Sequence, residues 1–166
     1  MAANQNAIHW GDLNWERSYG GQRAYSQSKI ALGLFALELD RRSRDAGWGI
    51  TSNLAHPGVA PTNLLAARPE LGRSRQTPLG WIIRTLSARG ILFGTPQTAA
   101  LPALLAATGP DSGGGTFFGP AGPGHFGGAP AEQPLYSKLL DVEQAARVWT
   151  ISEELTGVRI PAQEAP

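Results

Sequence analysis

The sequence predicts an α/β fold built on a parallel sheet. Two observations carry that expectation. A strongly helical stretch over 24–44 is followed within a few residues by a short strand over 49–55, GITSNLA, which together make one αβ unit. A second short strand, over 115–119, is followed after a loop by a last helix over 141–155. Only two strands are visible, and two cannot make a stable doubly wound sheet, because parallel strands need cover on both faces and partners at both edges. The 166 residues are therefore expected to form a single incomplete domain over 1–166, the later portion of a larger sheet.

Taken in order, residues 1–23 read as loop, with His9, Trp10, Trp15 and Tyr19 set among Asn, Asp and Gly and no regular periodicity. The helix over 24–44 is rich in Ala and Leu, and from 30 to 39 apolar residues cover most of its circumference, which predicts burial on more than one face. Arg41, Arg42 and Arg44 complement the dipole at its end and read as a solvated terminus, with Gly47 as terminator. Residues 60–78 read as a loop holding a short helix over 62–67, and 79–86 as another helical piece. Thr95 and Pro96 start a better helix, as N-cap and first residue, with Pro102 expected to kink it, or to lie within its first turn if the helix starts later. The stretch 120–135 reads as a loop rich in Gly and Pro, and Gly157 closes the last helix.

Composition narrows the function classes. Fourteen basic and 13 acidic side chains leave a formal charge of +1, which argues against a nucleic-acid partner. The absence of cysteine excludes disulfides, thiolate metal sites and cysteine nucleophiles. No run approaches the roughly 18 apolar residues of a membrane helix, and the N-terminus lacks a basic-then-apolar signal layout, so a cytoplasmic location is expected. His9, His56 and His125 are far apart with no carboxylate cluster at ligand spacing, so no metal is expected; His56 reads as structural. Gly113-Gly114-Gly115 follows a helix instead of opening one and is not a phosphate loop. No Gly-x-Ser-x-Gly elbow supports a serine hydrolase. The five tryptophans are dispersed and read mostly as packing residues.

The chemistry-bearing pair is Tyr25 and Lys29, four residues apart near the start of the first helix. That spacing puts both side chains on one face, one turn apart. A free phenol, with a pKa of about 10, is a poor base at neutral pH, and an ammonium beside it favours the phenolate. The pair suits proton transfer at a hydroxyl or carbonyl oxygen. The strand after this helix ends in His56-Pro57-Gly58-Val59-Ala60-Pro61-Thr62. In open α/β sheets ligands sit beyond the carboxyl ends of strands. Pro57-Gly58 turns the chain there and lets backbone approach a flat ring, and Thr62 offers a hydroxyl.

In this order the segments resemble the short-chain dehydrogenase/reductase family, and within it the retinol-dehydrogenase-like branch. The resemblance runs through Asp12-Leu13-Asn14-Trp15-Glu16-Arg17, Ala24-Tyr25-Ser26-Gln27-Ser28-Lys29 and Asn53-Leu54-Ala55-His56-Pro57-Gly58-Val59. It continues in Thr95-Pro96-Gln97-Thr98-Ala99-Ala100, Gly115-Thr116-Phe117-Phe118-Gly119-Pro120 and WTISEELTGV over 149–158. It implies a partial Rossmann-type doubly wound parallel sheet, without the N-terminal strands and nucleotide-binding loop. It implies an NAD- or NADP-dependent oxidoreductase of small-molecule alcohols or carbonyls. Tyr25 would be the general acid/base, and Lys29 its electrostatic partner and a ribose ligand. Pro57, Gly58, Val59 and Thr62 would line the nicotinamide and pyrophosphate side, and residues 64–92 would be the substrate lid. Pairing of subunits through the first helix, hence a homo-oligomer, is also implied. The family's glycine-rich nucleotide turn, its Asn-Asn-Ala-Gly stretch and its catalytic serine have no counterpart in the 166 residues, and neither Ser18, Ser26 nor Ser28 matches that serine. The alternative expectation is an inactive remnant or a non-catalytic interaction protein.

Overall fold

Gly21–Ala46 form helix α1, whose Ala- and Leu-rich composition favours the helical state and whose end is set by Gly47 at φ 65°, donating back to the Ser43 carbonyl. The helix is two residues longer at its end and three at its start than the periodicity predicts. The computed structural model describes residues 2–61, 78–89, 92–110 and 113–160. The described residues divide into two compact units, one within Met1–Leu54, Gly113–Gly115 and Pro134–Pro166, the other within Ala55–Ser112 and Thr116–Gln133.

In the first unit α1 packs on helix α4, Val142–Thr156, over a core of Ile8, Ile30, Leu34, Leu139, Ala145 and Val148. Gly33 makes room in α1: a Cβ there would sit 2.8 Å from Leu139 Cδ2. Asp141 caps α4 by accepting the Gln144 N–H at 3.0 Å. Trp149, 2% exposed, stacks on Phe35 at 5.1 Å and lies under the Arg42 guanidinium at 4.7 Å. Its packing role is as expected, whereas Trp81 in the second unit is 60% exposed.

Over 30–39 the residues of α1 are buried or half-buried, as expected, except Leu32, which is 61% exposed. The basic end is not simply solvated: Arg41 and Arg42 each hold Glu38, itself 1% exposed, at 2.7 Å. Hydrogen bonding by Arg41 outweighs the cost of burial and holds the Glu38 carboxyl below its ordinary range. Arg44 pairs with the equally buried Asp40 at 2.8 Å, and Asp40 also accepts the Ser52 N–H at 3.1 Å. Gly114, at φ +87°, passes so close to Asp40 that a Cβ would overlap its carboxylate. This fold contact accounts for the glycines at 114 and 115, both at positive φ and both against Asp40.

The second unit holds the sheet. Strands β1, Leu54–Ala55, β2, Phe117–Pro120, and β3, Pro130–Gln133, lie in the order β1-β2-β3, and the unit boundary falls within β1. β2 and β3 are antiparallel, with Phe117 opposite Gln133 and Pro120 opposite Pro130. The architecture is α/β, with a small mixed sheet in place of the all-parallel one expected. The first strand is two residues long, not seven: polar Thr51, Ser52 and Asn53 stand ahead of it, and Ser52 bonds to Asp40 and to the Gly115 N–H. β3 lies inside the stretch expected to be loop; Pro at its first position suits an edge strand, which need not donate at every residue.

Helix α2, Pro78–Ala88, and helix α3, Pro96–Thr108, complete the unit. Thr95 caps α3 in a reciprocal box with Thr98, and Pro96 follows it, as expected. Pro102 lies inside α3, beyond its first turn, and is buried there. The expected short helix over 62–67 lies outside the described residues. No described helix is long and apolar enough to cross a membrane.

Candidate functional site

The face that α1 turns inward determines which side chains it turns outward. Ser26 and Gln27 are buried and grip the preceding loop. Ser26 Oγ accepts from Asn6 Nδ2 at 3.1 Å. Gln27 accepts the His9 N–H at 2.9 Å through Oε1 and donates to the Leu13 carbonyl at 2.8 Å through Nε2. Ile30 enters the core one turn on. Positions 25 and 29 therefore share the opposite, exposed side. Tyr25 is 44% exposed, and Lys29 Nζ lies 5.5 Å from the centre of its ring. No described carboxylate pairs with Lys29. Ser28, on the same side, is turned back, donating to the Tyr25 carbonyl at 2.8 Å.

The loop ahead of α1 is organised by Asp12, a role its sequence context did not signal. Its carboxylate accepts the N–H groups of Glu16 at 2.8 Å and Arg17 at 3.0 Å, and its carbonyl accepts that of Trp15 at 3.1 Å. The Arg17 N–H above all, and that of Glu16 against the cost of burial, hold the Asp12 carboxyl below its ordinary range. The turn leaves Trp15 at φ 57°. Its ring lies 5.4 Å from His9 and 5.3 Å from the Arg23 guanidinium. A cavity of about 480 Å³ opens beside it, lined by His9, Trp15, Ser18, Arg23 and Lys138 among others.

Pro57, Gly58 and Val59 form a turn in the second unit. The His56 N–H donates to the Phe118 carbonyl at 2.9 Å, extending β1 beside β2. Val59 is held twice: its N–H donates to the Phe126 carbonyl at 2.8 Å, and its carbonyl accepts the Gly94 N–H at 3.0 Å. Gly58 is at φ +73°, and a Cβ there would meet the Phe126 carbonyl at 2.5 Å and Pro120 Cγ at 2.8 Å. The fold thus requires glycine here from inside, independently of any ligand. The structure brings Tyr25 and Lys29 together in one unit, and Pro57, Gly58 and Val59 together in the other. Thr62 lies outside the described residues, as do residues 64–77 of the expected lid. Among the described residues no three His, Asp or Glu side chains gather at metal-ligand distance.

No family model matches the chain. It is 35% identical over 155 residues to retinol dehydrogenase 14 of Mus musculus, covering 91% of this chain and 40% of that protein. It is 34% identical over 164 residues to retinol dehydrogenase 13 of Homo sapiens, covering 93% and 43%. Polyprenol dehydrogenase of Mus musculus is 31% identical over 150 residues, covering 90% and 40%. The chain therefore spans about 40% of the length of these curated relatives. Among solved structures, an uncharacterized protein from Mycobacterium Paratuberculosis superimposes with a TM-score of 0.65 at 30% identity, over 97% of this chain and 49% of that one.

Proposed function

We propose, for a chain that belongs to the short-chain dehydrogenase/reductase family, that its residues serve hydride exchange between NAD or NADP and the carbon of an alcohol or carbonyl substrate. The observation that carries this reading is the Tyr25–Lys29 pair on the open side of α1, with the ammonium against the ring and no described carboxylate competing for it. An exposed phenol and an exposed ammonium one turn apart fit the hydroxyls of a ribose and the oxygen of a substrate. Pro57, exposed at its turn, and Val59 offer apolar surface that fits a flat ring. With Gly58 and Thr62 they make up the nicotinamide and pyrophosphate side of this reading.

The dinucleotide, when bound, supplies or accepts the hydride. The chain's own residues handle the proton. In reduction the Tyr25 hydroxyl donates its proton to the substrate oxygen as that oxygen gains charge; in oxidation the phenolate takes the alcohol's proton. Lys29 donates to ribose hydroxyls and stabilises negative charge on the Tyr25 oxygen. The relatives' names, retinol and polyprenol dehydrogenase, favour an apolar alcohol or its carbonyl as substrate. The test is nucleotide binding and carbonyl reduction by the wild-type chain, Y25F and K29M. Binding retained in Y25F with reduction lost supports the reading; equal reduction by wild type and Y25F sinks it.

Leu32, exposed on the same helix, favours a second reading, a non-catalytic interaction protein docking through α1. A stoichiometric complex of the chain that L32K dissolves, with no nucleotide bound at millimolar concentration, would select it.

A further inference from the structure

His56 stands where β1 ends and the Pro57-Gly58-Val59 turn begins. Its backbone is fixed by the bond to Phe118, and its ring packs against Phe117 at 5.2 Å. The Gly58 N–H points back at the ring and donates to Nδ1 at 3.2 Å. A nitrogen that accepts an N–H carries no proton of its own, so the neutral ring must be protonated at Nε2. Nε2 is buried with no hydrogen-bond partner and lies against Gly119, where a Cβ would overlap the ring. The neighbour at 119 is therefore restricted to glycine by the imidazole.

We propose that His56 is the positioning residue of the Pro57-Gly58-Val59 turn: its neutral ring, protonated at Nε2 against Gly119, captures the Gly58 N–H at Nδ1. The side chain does what an Asn or Asp does in an Asx turn, accepting an N–H two residues on. Without it that N–H has no acceptor, and Val59 would be held only by its own two backbone bonds. Proton uptake at Nδ1 replaces the acceptor with a donor and releases Gly58. Burial disfavours that uptake, pushing the ring down to about 4, and His125 adds to the effect. Within the second unit His125, edge-on at 6.5 Å, is the titratable group facing the ring, while β2 offers Phe117 and Gly119. His125 Nδ1 lies 3.1 Å from the Pro120 carbonyl and donates to it. Any bearing of this turn on a nucleotide rests on the oxidoreductase reading; the geometry of the turn does not.

The experiment uses the ¹⁵N-labelled 166-residue chain, with the His56 ring nitrogens and Gly58 amide exchange followed by NMR in wild type, H56N and H56L. The expected results are an Nε2–H tautomer, Gly58 exchange in H56N within about threefold of wild type, and exchange about tenfold faster in H56L. An Nδ1–H tautomer, equal exchange in H56L and wild type, or H56N as fast as H56L would each overturn the proposal. If H56L does not fold, the wild-type tautomer decides alone. A parallel NADH and NADPH titration separates the two claims: a correct tautomer without nucleotide binding counts against the oxidoreductase reading and leaves the turn as proposed.

Discussion

Lys29 holds its ammonium 5.5 Å from the centre of the Tyr25 ring, one helical turn along α1. The pair is presented outward because Ser26, Gln27 and Ile30 are committed inward, two of them to the 6–13 loop and the third to the core. Removing the phenolic oxygen should therefore leave the helix intact. Y25F is expected to lower carbonyl reduction by about 10²-fold or more while nucleotide affinity stays within a few-fold. K29M is expected to weaken both. Steady-state kinetics with a fluorescence titration of the nucleotide separates the two effects.

Gln27 ties that presentation to the loop. Replacing it by Leu strands the His9 N–H and the Leu13 carbonyl together, and each lost bond to a partly buried group costs about 1 kcal/mol or more. Q27L should lose roughly 2 kcal/mol in urea unfolding by this estimate. A loss below about 0.5 kcal/mol would mean that water replaces both bonds.

The half-buried neutral His56 makes stability depend on pH in a defined window. Its folded pKa, about 4, lies below the ordinary 6.5. Above 6.5 neither state binds the proton and the contribution is complete. Between 6.5 and 4 the unfolded chain takes up a proton that the folded chain refuses, so stability falls as pH falls. The ceiling on the loss is about 3.4 kcal/mol, and solvent screening of a half-buried ring lowers it. Urea midpoints at pH 7 and pH 4.5 should differ more for wild type than for H56N, which has no group titrating in that interval at position 56.

Gly114 and Gly113 make an internal control. Gly114 combines φ +87° with overlap of any Cβ on Asp40, whereas a Cβ at Gly113 meets nothing within 4 Å. G114A should cost about 2 kcal/mol or more and G113A under about 0.5 kcal/mol, read from thermal or urea unfolding. Equal effects at both positions would remove the Asp40 contact as the reason for glycine at 114.

What could be read from the sequence is what local chemistry determines. Gly47 and Gly157 stop their helices in the left-handed region, and Thr95-Pro96 starts another, because caps act within one turn. The Tyr25–Lys29 face follows from a spacing of four for the same reason. β3 escapes such a reading: Pro130, Ala131, Glu132 and Gln133 carry no alternation, and they form a strand only because Phe117–Pro120 offers an edge. Glu38 and Asp40 look like the solvated part of a charged helix end. Their burial depends on Arg41, Arg42 and Arg44 folding back, and on the distant glycines at 114 and 115. His56 was legible as a structural residue at a strand end, but its tautomer depends on where Gly58 and Gly119 lie in space.

In the proposed function Tyr25 moves the proton in a hydride exchange with a nicotinamide dinucleotide. Deuterium transfer from C4-deuterated NADH or NADPH to the carbonyl carbon of an apolar aldehyde tests it most directly, with wild type and Y25F compared at saturating nucleotide. Deuterium is expected on the alcohol carbon with wild type and about 10²-fold less with Y25F. No transfer by folded wild type, or equal transfer by Y25F, would contradict it.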